Sequence, residues 1–166
     1  MKEVQFKVLK ALSEATSRMD INTFAKKVNL DPNQTIQQVQ ELAKEGFLQK
    51  VGNGFGITVK GRAALKAFVP VPEGMGFHFY NGIDQPTDLT AKTLGEFYED
   101  IKQVSVDSLE FHLYRGDFEN WLKTVLKNAL FAGEFAKMRK AELKGENLRK
   151  EIIKASEARY GFERLL

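Results

Sequence analysis

The chain has 166 residues, a formal net charge of +3, 43% hydrophobic and 28% charged residues, and no cysteine. These totals fit one mid-sized domain or two small ones and exclude wholesale disorder. They also exclude a disulfide framework, a thiolate metal site and a cysteine nucleophile, and no apolar run approaches the roughly 18 residues of a membrane helix.

MKEVQFKVLKALSEA reads as a first helix, with Val4, Val8, Leu9, Ala11 and Leu12 on one stripe and Lys7, Lys10 and Glu14 away from it. Charges interrupt this stretch too often for a secretory signal, so a cytoplasmic protein without a membrane partner is expected. After the polar break TSRMD, INTFAKKVNL reads as a second helix, with Asn22 as N-cap and Phe24, Ala25 and Val28 facing inward. The third helix, 31–46, has the clearest punctuation. Asp31 caps it, Pro32 takes the first helical position, Gln34 stands where a capping box places Glu or Gln, and Gly46 stops it. Ile36, Val39, Leu42 and Ala43 define its expected buried side. FLQKVGNGFGITV then changes period and reads as a hairpin around Gly52, Asn53 and Gly54. Thr58 caps a fourth helix, VKGRAALKAF, packed by Ala64, Leu65 and Phe68.

Charge is divided along the chain. Residues 1–69 hold eleven Lys/Arg against six Asp/Glu, or +5, and the remainder holds fourteen against sixteen, or −2. A basic front half suits a polyanionic partner.

Residues 2–68 resemble the winged helix-turn-helix domains of prokaryotic transcription regulators. The resemblance rests on Ala25-Lys26-Lys27 in the second helix, Thr35-Ile36 opening the third, ELAKEGFL at 41–48, and Thr58-x-x-Gly61-Arg62. It implies a mainly α fold with a small β-hairpin wing, double-stranded DNA as partner, and a homodimer on a two-fold site. On that expectation helix 31–46 enters a major groove. Its solvent side carries Asn33, Gln34, Gln37, Glu41 and Lys44, with Gln38 at the flank. Amide side chains suit adenine, which they bind bidentately. Lys26, Lys27, Lys44, Lys50, Lys60 and Arg62 would hold phosphates, with Asn53 at the wing's tip. Glu41 opposes this picture by repelling phosphate.

The expected organisation is a first domain at 1–68, a stiff linker VPVPEG at 69–74, and a mostly helical domain at 75–166. In the latter MGFHFY reads as a strand and NGIDQPTD as a loop. Thr93 and Glu96 form a capping box opening LGEFYEDIKQV, and SLEFHLYR is helical or irregular. Asp117 is expected to cap FENWLKTVLKN; ALFAGEFAKMRKAEL and ENLRKEIIKASEARYGFERLL follow as helices. FHFYNG, SLEFHLYRGDFENWL and LKGENLRKEI resemble an uncharacterised prokaryotic helical domain over about residues 72–160, which implies a fold unit and no activity.

Both histidines, His78 and His112, stand in the frame Phe-His-apolar-Tyr-x-Gly. A zinc site needs about three or four ligands. Only Glu110 or Asp117 could join the two histidines, without HxxxH or HxxE spacing, so core roles are the first expectation, with no metal and no cofactor. The alternative is a small anionic ligand held by His112 and Arg115 near His78. No serine sits in a nucleophile elbow, and GNGFG lacks the lysine of a phosphate loop. The function expected is therefore a non-enzymatic DNA-binding regulator whose back half dimerises or senses a small-molecule effector. The competing readings are a protein-interaction adaptor using the winged helix and a histidine-containing ligand or metal sensor.

Overall fold

The computed structural model describes residues 3–162, which form nine helices and four strands. The chain divides into two units, Met1–Ala67 with Arg159–Leu166, and Phe68–Ala158. The architecture is mainly helical with two small antiparallel hairpins. No helix among the described residues is long and apolar enough to cross a membrane.

The first unit runs α1 Glu3–Glu14, α2 Ile21–Val28, α3 Pro32–Lys44, β1 Leu48–Val51, β2 Gly54–Ile57 and α4 Val59–Ala67. Asp20, not Asn22, caps α2. Its Oδ1 accepts from the Asn22 and Thr23 amides at 3.0 Å, and its Oδ2 from the Thr23 hydroxyl at 2.6 Å. Asn22 falls inside the first turn, where its side chain cannot reach the orphan amides. Asp31 caps α3 as expected, accepting from the Gln34 amide at 2.9 Å, with Pro32 needing no amide partner at the first position. Gly46, at φ +80, turns the chain out of α3. β1 and β2 pair from Leu48↔Ile57 to Val51↔Gly54, leaving a two-residue turn of Gly52 and Asn53.

The core of this unit joins Val8 and Leu9 of α1, Phe24 of α2, Leu42 of α3, Phe47, and Ala64 of α4. Thr35 is buried and its hydroxyl donates to the Asp31 carbonyl at 2.8 Å, a satisfied polar group in an apolar setting. Ile36, expected on the buried side, is 41% exposed instead. A one-residue rotation of the buried stripe toward Thr35, Val39 and Leu42 accounts for this.

Thr58-x-x-Gly61 closes the unit for a visible reason. The Thr58 hydroxyl donates to the Gly46 carbonyl at 2.6 Å and accepts from the Gly61 amide at 3.0 Å. A Cβ on Gly61 would lie 2.3 Å from the Phe47 carbonyl oxygen, so only glycine lets α4 pack there. Residues 159–162 complete the unit: Phe162 is buried and stacks on Tyr160 at 5.0 Å.

The second unit contains β3 Phe77–Gly82, β4 Gln85–Ala91, α5 Leu94–Gln103, α6 Val106–Arg115, α7 Asp117–Thr124, α8 Ala129–Lys140 and α9 Gly145–Tyr160, the last counted to Ala158. The stretch expected as a loop in NGIDQPTD is in part strand. β4 pairs with β3 from Phe77↔Ala91 to Gly82↔Gln85, with irregular register around Tyr80. Pro86 is tolerated near the strand's start, where a missing amide costs little. Thr93 caps α5, accepting from the Glu96 amide at 3.0 Å, while the Glu96 carboxylate takes the Lys92 amide at 2.6 Å. Gly116, at φ +76, ends α6 and is itself the residue before α7. Asp117, expected as that cap, is the first helical residue, and its carboxylate serves another purpose described below.

Phe77 and Phe79 of β3, Phe97 of α5, Phe118 and Trp121 of α7 and Phe135 of α8 form one aromatic core. Burying each phenyl ring contributes about 1.5–3 kcal/mol. The Trp121 Nε1 donates to the Met75 carbonyl at 2.8 Å, so its one polar atom is satisfied.

Candidate nucleic-acid interface

Helix α3 has an apolar inner side because Val39 and Leu42 recur with Thr35. Asn33, Gln34, Gln37, Gln40 and Lys44 are exposed along it. Asn33 and Gln34 occupy the capped first turn, the end from which a groove-bound helix reaches bases. Gln38 is placed differently from the others. It is half-buried, and its Oε1 is buried without a hydrogen bond among the described residues. Gln40, which sequence reasoning passed over, points to solvent instead; at 100° per residue it lies between Ile36 and Lys44, and that arithmetic could have found it.

Glu41 does not stand free on this face. Its Oε1 accepts from Gln37 Nε2 at 3.1 Å and its Oε2 from Gln5 Nε2 at 3.2 Å. Gln5 is only 4% exposed on α1, so the carboxylate is drawn toward that helix. Two amide donors spread its charge, which weakens the repulsion that the sequence suggested. The signal for Gln5 was legible, since it shares the i, i+3, i+4, i+7 spacing of Val8, Leu9 and Leu12 and is polar.

Among the expected phosphate contacts, Lys26 and Lys27 in the last turn of α2, Lys44 at the end of α3, Lys50 on β1 and Arg62 on α4 are all exposed. Arg62 Nη2 donates to the Ile57 carbonyl at 3.3 Å, leaving other guanidinium donors available. Lys60 is used within the unit. Its Nζ donates to the Glu45 carbonyl at 3.0 Å and sits 4.6 Å above the Phe47 ring. Asn53 is exposed at the hairpin turn and borders the same cleft as Ile36 and Gln40, so hairpin tip and α3 adjoin. Arg18, absent from the expected set, lies against the Gly52 turn.

The two histidines belong to segments that pack on each other, a strand and a helix. In β3 the period of two sends Phe77 and Phe79 inward and His78 outward, where Nδ1 is 2.9 Å from the Thr90 hydroxyl. In α6 the helical period turns His112 inward with Leu109 and Leu113. The Tyr80 amide donates to His112 Nε2 at 2.8 Å, which fixes that nitrogen as the acceptor. Nδ1 therefore carries the proton and donates to Asp117 Oδ2 at 2.8 Å. Burial holds the His112 pKa below its ordinary 6.5, with Asp117 partly opposing. Both ring nitrogens are spent on tying β3 to α6 and α7.

Arg115 reaches the same carboxylate, Nε to Oδ2 at 3.3 Å, and stacks 4.8 Å over Phe111. His78, His112, Arg115 and Asp117 border one open depression of about 450 Å³. No cluster of three or more His, Asp or Glu residues suited to a metal occurs among the described residues. No protein-family model, curated protein or solved structure matches the chain.

Proposed function

We propose that the chain is a DNA-binding protein, a transcription regulator whose first unit acts as a winged helix-turn-helix. The observation that carries this reading is α3: a helix capped at its leading end by Asp31 and Pro32, with Asn33, Gln34, Gln37 and Gln40 exposed beside the hairpin. Amides reach adenine edges in pairs, each good pair giving about 1–3 kcal/mol of discrimination. Lys26, Lys27, Lys44, Lys50 and Arg62 supply five exposed cations for phosphates. A single copy with so few contacts binds weakly, so two copies on a two-fold site are part of the proposal.

Glu41 is compatible with this role because Gln5 and Gln37 hold it. The second unit serves assembly or effector sensing. His112 supplies structure to that unit, since it has no nitrogen left for a ligand. Selection from a random duplex library, followed by electrophoretic shift, tests the proposal. Enrichment of a two-fold, A·T-containing motif is expected; recovery of no motif and no shifted species would refute it.

A further inference from the structure

The first unit contains a half-open cleft of about 780 Å³, bordered by the end of α1, the α1–α2 connection, α3 and the hairpin. Leu12, Phe24 and Val39 form part of its apolar floor. At its mouth stand Ile21, Ile36 and Phe55, which are 37%, 41% and 40% exposed. Three large apolar side chains converging on one concavity differ from scattered surface residues, and the volume lies within the range of about 300–1,000 Å³ typical of small-molecule sites. Gly54 and Gly56 line its hairpin side.

The polar groups at the cleft differ in availability. Asp20 is fully engaged: it takes two backbone amides and the Thr23 hydroxyl, and those bonds, the hydroxyl foremost, hold its carboxyl below the ordinary carboxylate range. Arg18 makes no hydrogen bond or ion pair among the described residues, and its Nη2 lies beside the Gly52 turn at the cleft's edge. An unpaired guanidinium over an apolar cavity selects a ligand with one planar anion and an apolar body. We propose that this cleft binds a small amphipathic carboxylate, its apolar body against Ile21, Ile36 and Phe55 and its carboxylate on Arg18.

The test uses the full chain without DNA, so its outcome is independent of the nucleic-acid role. Methyl resonances of Met19, Ile21 and Ile36 are followed while 2-naphthoate, or the neutral 2-naphthamide, is titrated. Saturable shifts at these methyls are expected. Arg18→Gln should weaken 2-naphthoate about tenfold or more and leave 2-naphthamide nearly unchanged. Ile36→Glu should weaken both. Because Arg18 and Ile36 are exposed, neither change removes a core contact, and circular dichroism confirms folding. No saturable shift up to about 10 mM, shifts confined to other methyls, or a 2-naphthoate affinity indifferent to Arg18→Gln would overturn the proposal.

Discussion

Two helical glycines should respond to the same substitution with opposite sign. In an exposed helix, glycine to alanine is worth about 1 kcal/mol of stability. A Cβ on Gly133 of α8 would meet nothing within 4 Å, so Gly133→Ala should stabilise by about 0.5–1 kcal/mol. At Gly61 the new methyl would meet the Phe47 carbonyl oxygen at 2.3 Å and Ile57 Cγ2 at 2.9 Å. The first obstacle is backbone and cannot rotate away, so α4 must retreat by about 1 Å to restore normal contact. Such overpacking costs about 1–3 kcal/mol. The retreat also stretches the Thr58 bonds to Gly46 and Gly61, at about 1 kcal/mol. After the helix-propensity gain, Gly61→Ala should destabilise by about 1–3 kcal/mol. Urea melts followed by far-UV circular dichroism measure both variants, with fluorescence of the single Trp121 reporting the second unit separately. A Gly61→Ala protein as stable as wild type, or more so, would refute the account of the Thr58–Gly61 junction.

Three further outcomes follow from the structure. His112→Phe fills the same space but strands the Tyr80 amide and leaves Asp117 to Arg115 and solvent, costing about 1–3 kcal/mol in the Trp121 fluorescence melt. Because folding depresses the His112 pKa, the unfolded chain binds the extra proton, and wild-type stability should fall as pH drops below about 6.5; this component should vanish in His112→Phe. Asp100 behaves inversely. Burial, then Glu96 and Glu99, raise its pKa from 3.8 to about 6, so its ionised form costs stability above that pH and the cost fades toward 3.8. Asp100→Asn should stabilise by about 1 kcal/mol at pH 8, allowing for solvent screening, and by nothing near pH 4, read from the same melts.

Local chemistry was legible wherever one residue type settles a backbone requirement. Asp31, Pro32 and Gly46 delimit α3, Gly52-Asn53 makes a hairpin turn, and Thr93 opens α5. What escaped depended on tertiary partners. β4 contains Pro86 and polar residues, and it is a strand because β3 offers it a partner over an aromatic floor. Asp117 has the composition of a cap, yet His112, five residues earlier, claims its carboxylate. Ile36 fits an apolar stripe by period alone, but the stripe turned toward Thr35, whose hydroxyl found the Asp31 carbonyl. Arg18 carries no local signal at all; its position matters only once the hairpin returns beside it.

Protein–phosphate contact on the first unit is tested most directly by the salt dependence of duplex binding, followed by fluorescence anisotropy. Five exposed cations predict a log–log slope of about −4 to −5 per protomer, falling in magnitude by about 2 when Lys26 and Lys27 are both changed to Gln. Absence of binding at about 50 mM salt, or a slope near zero, would contradict it.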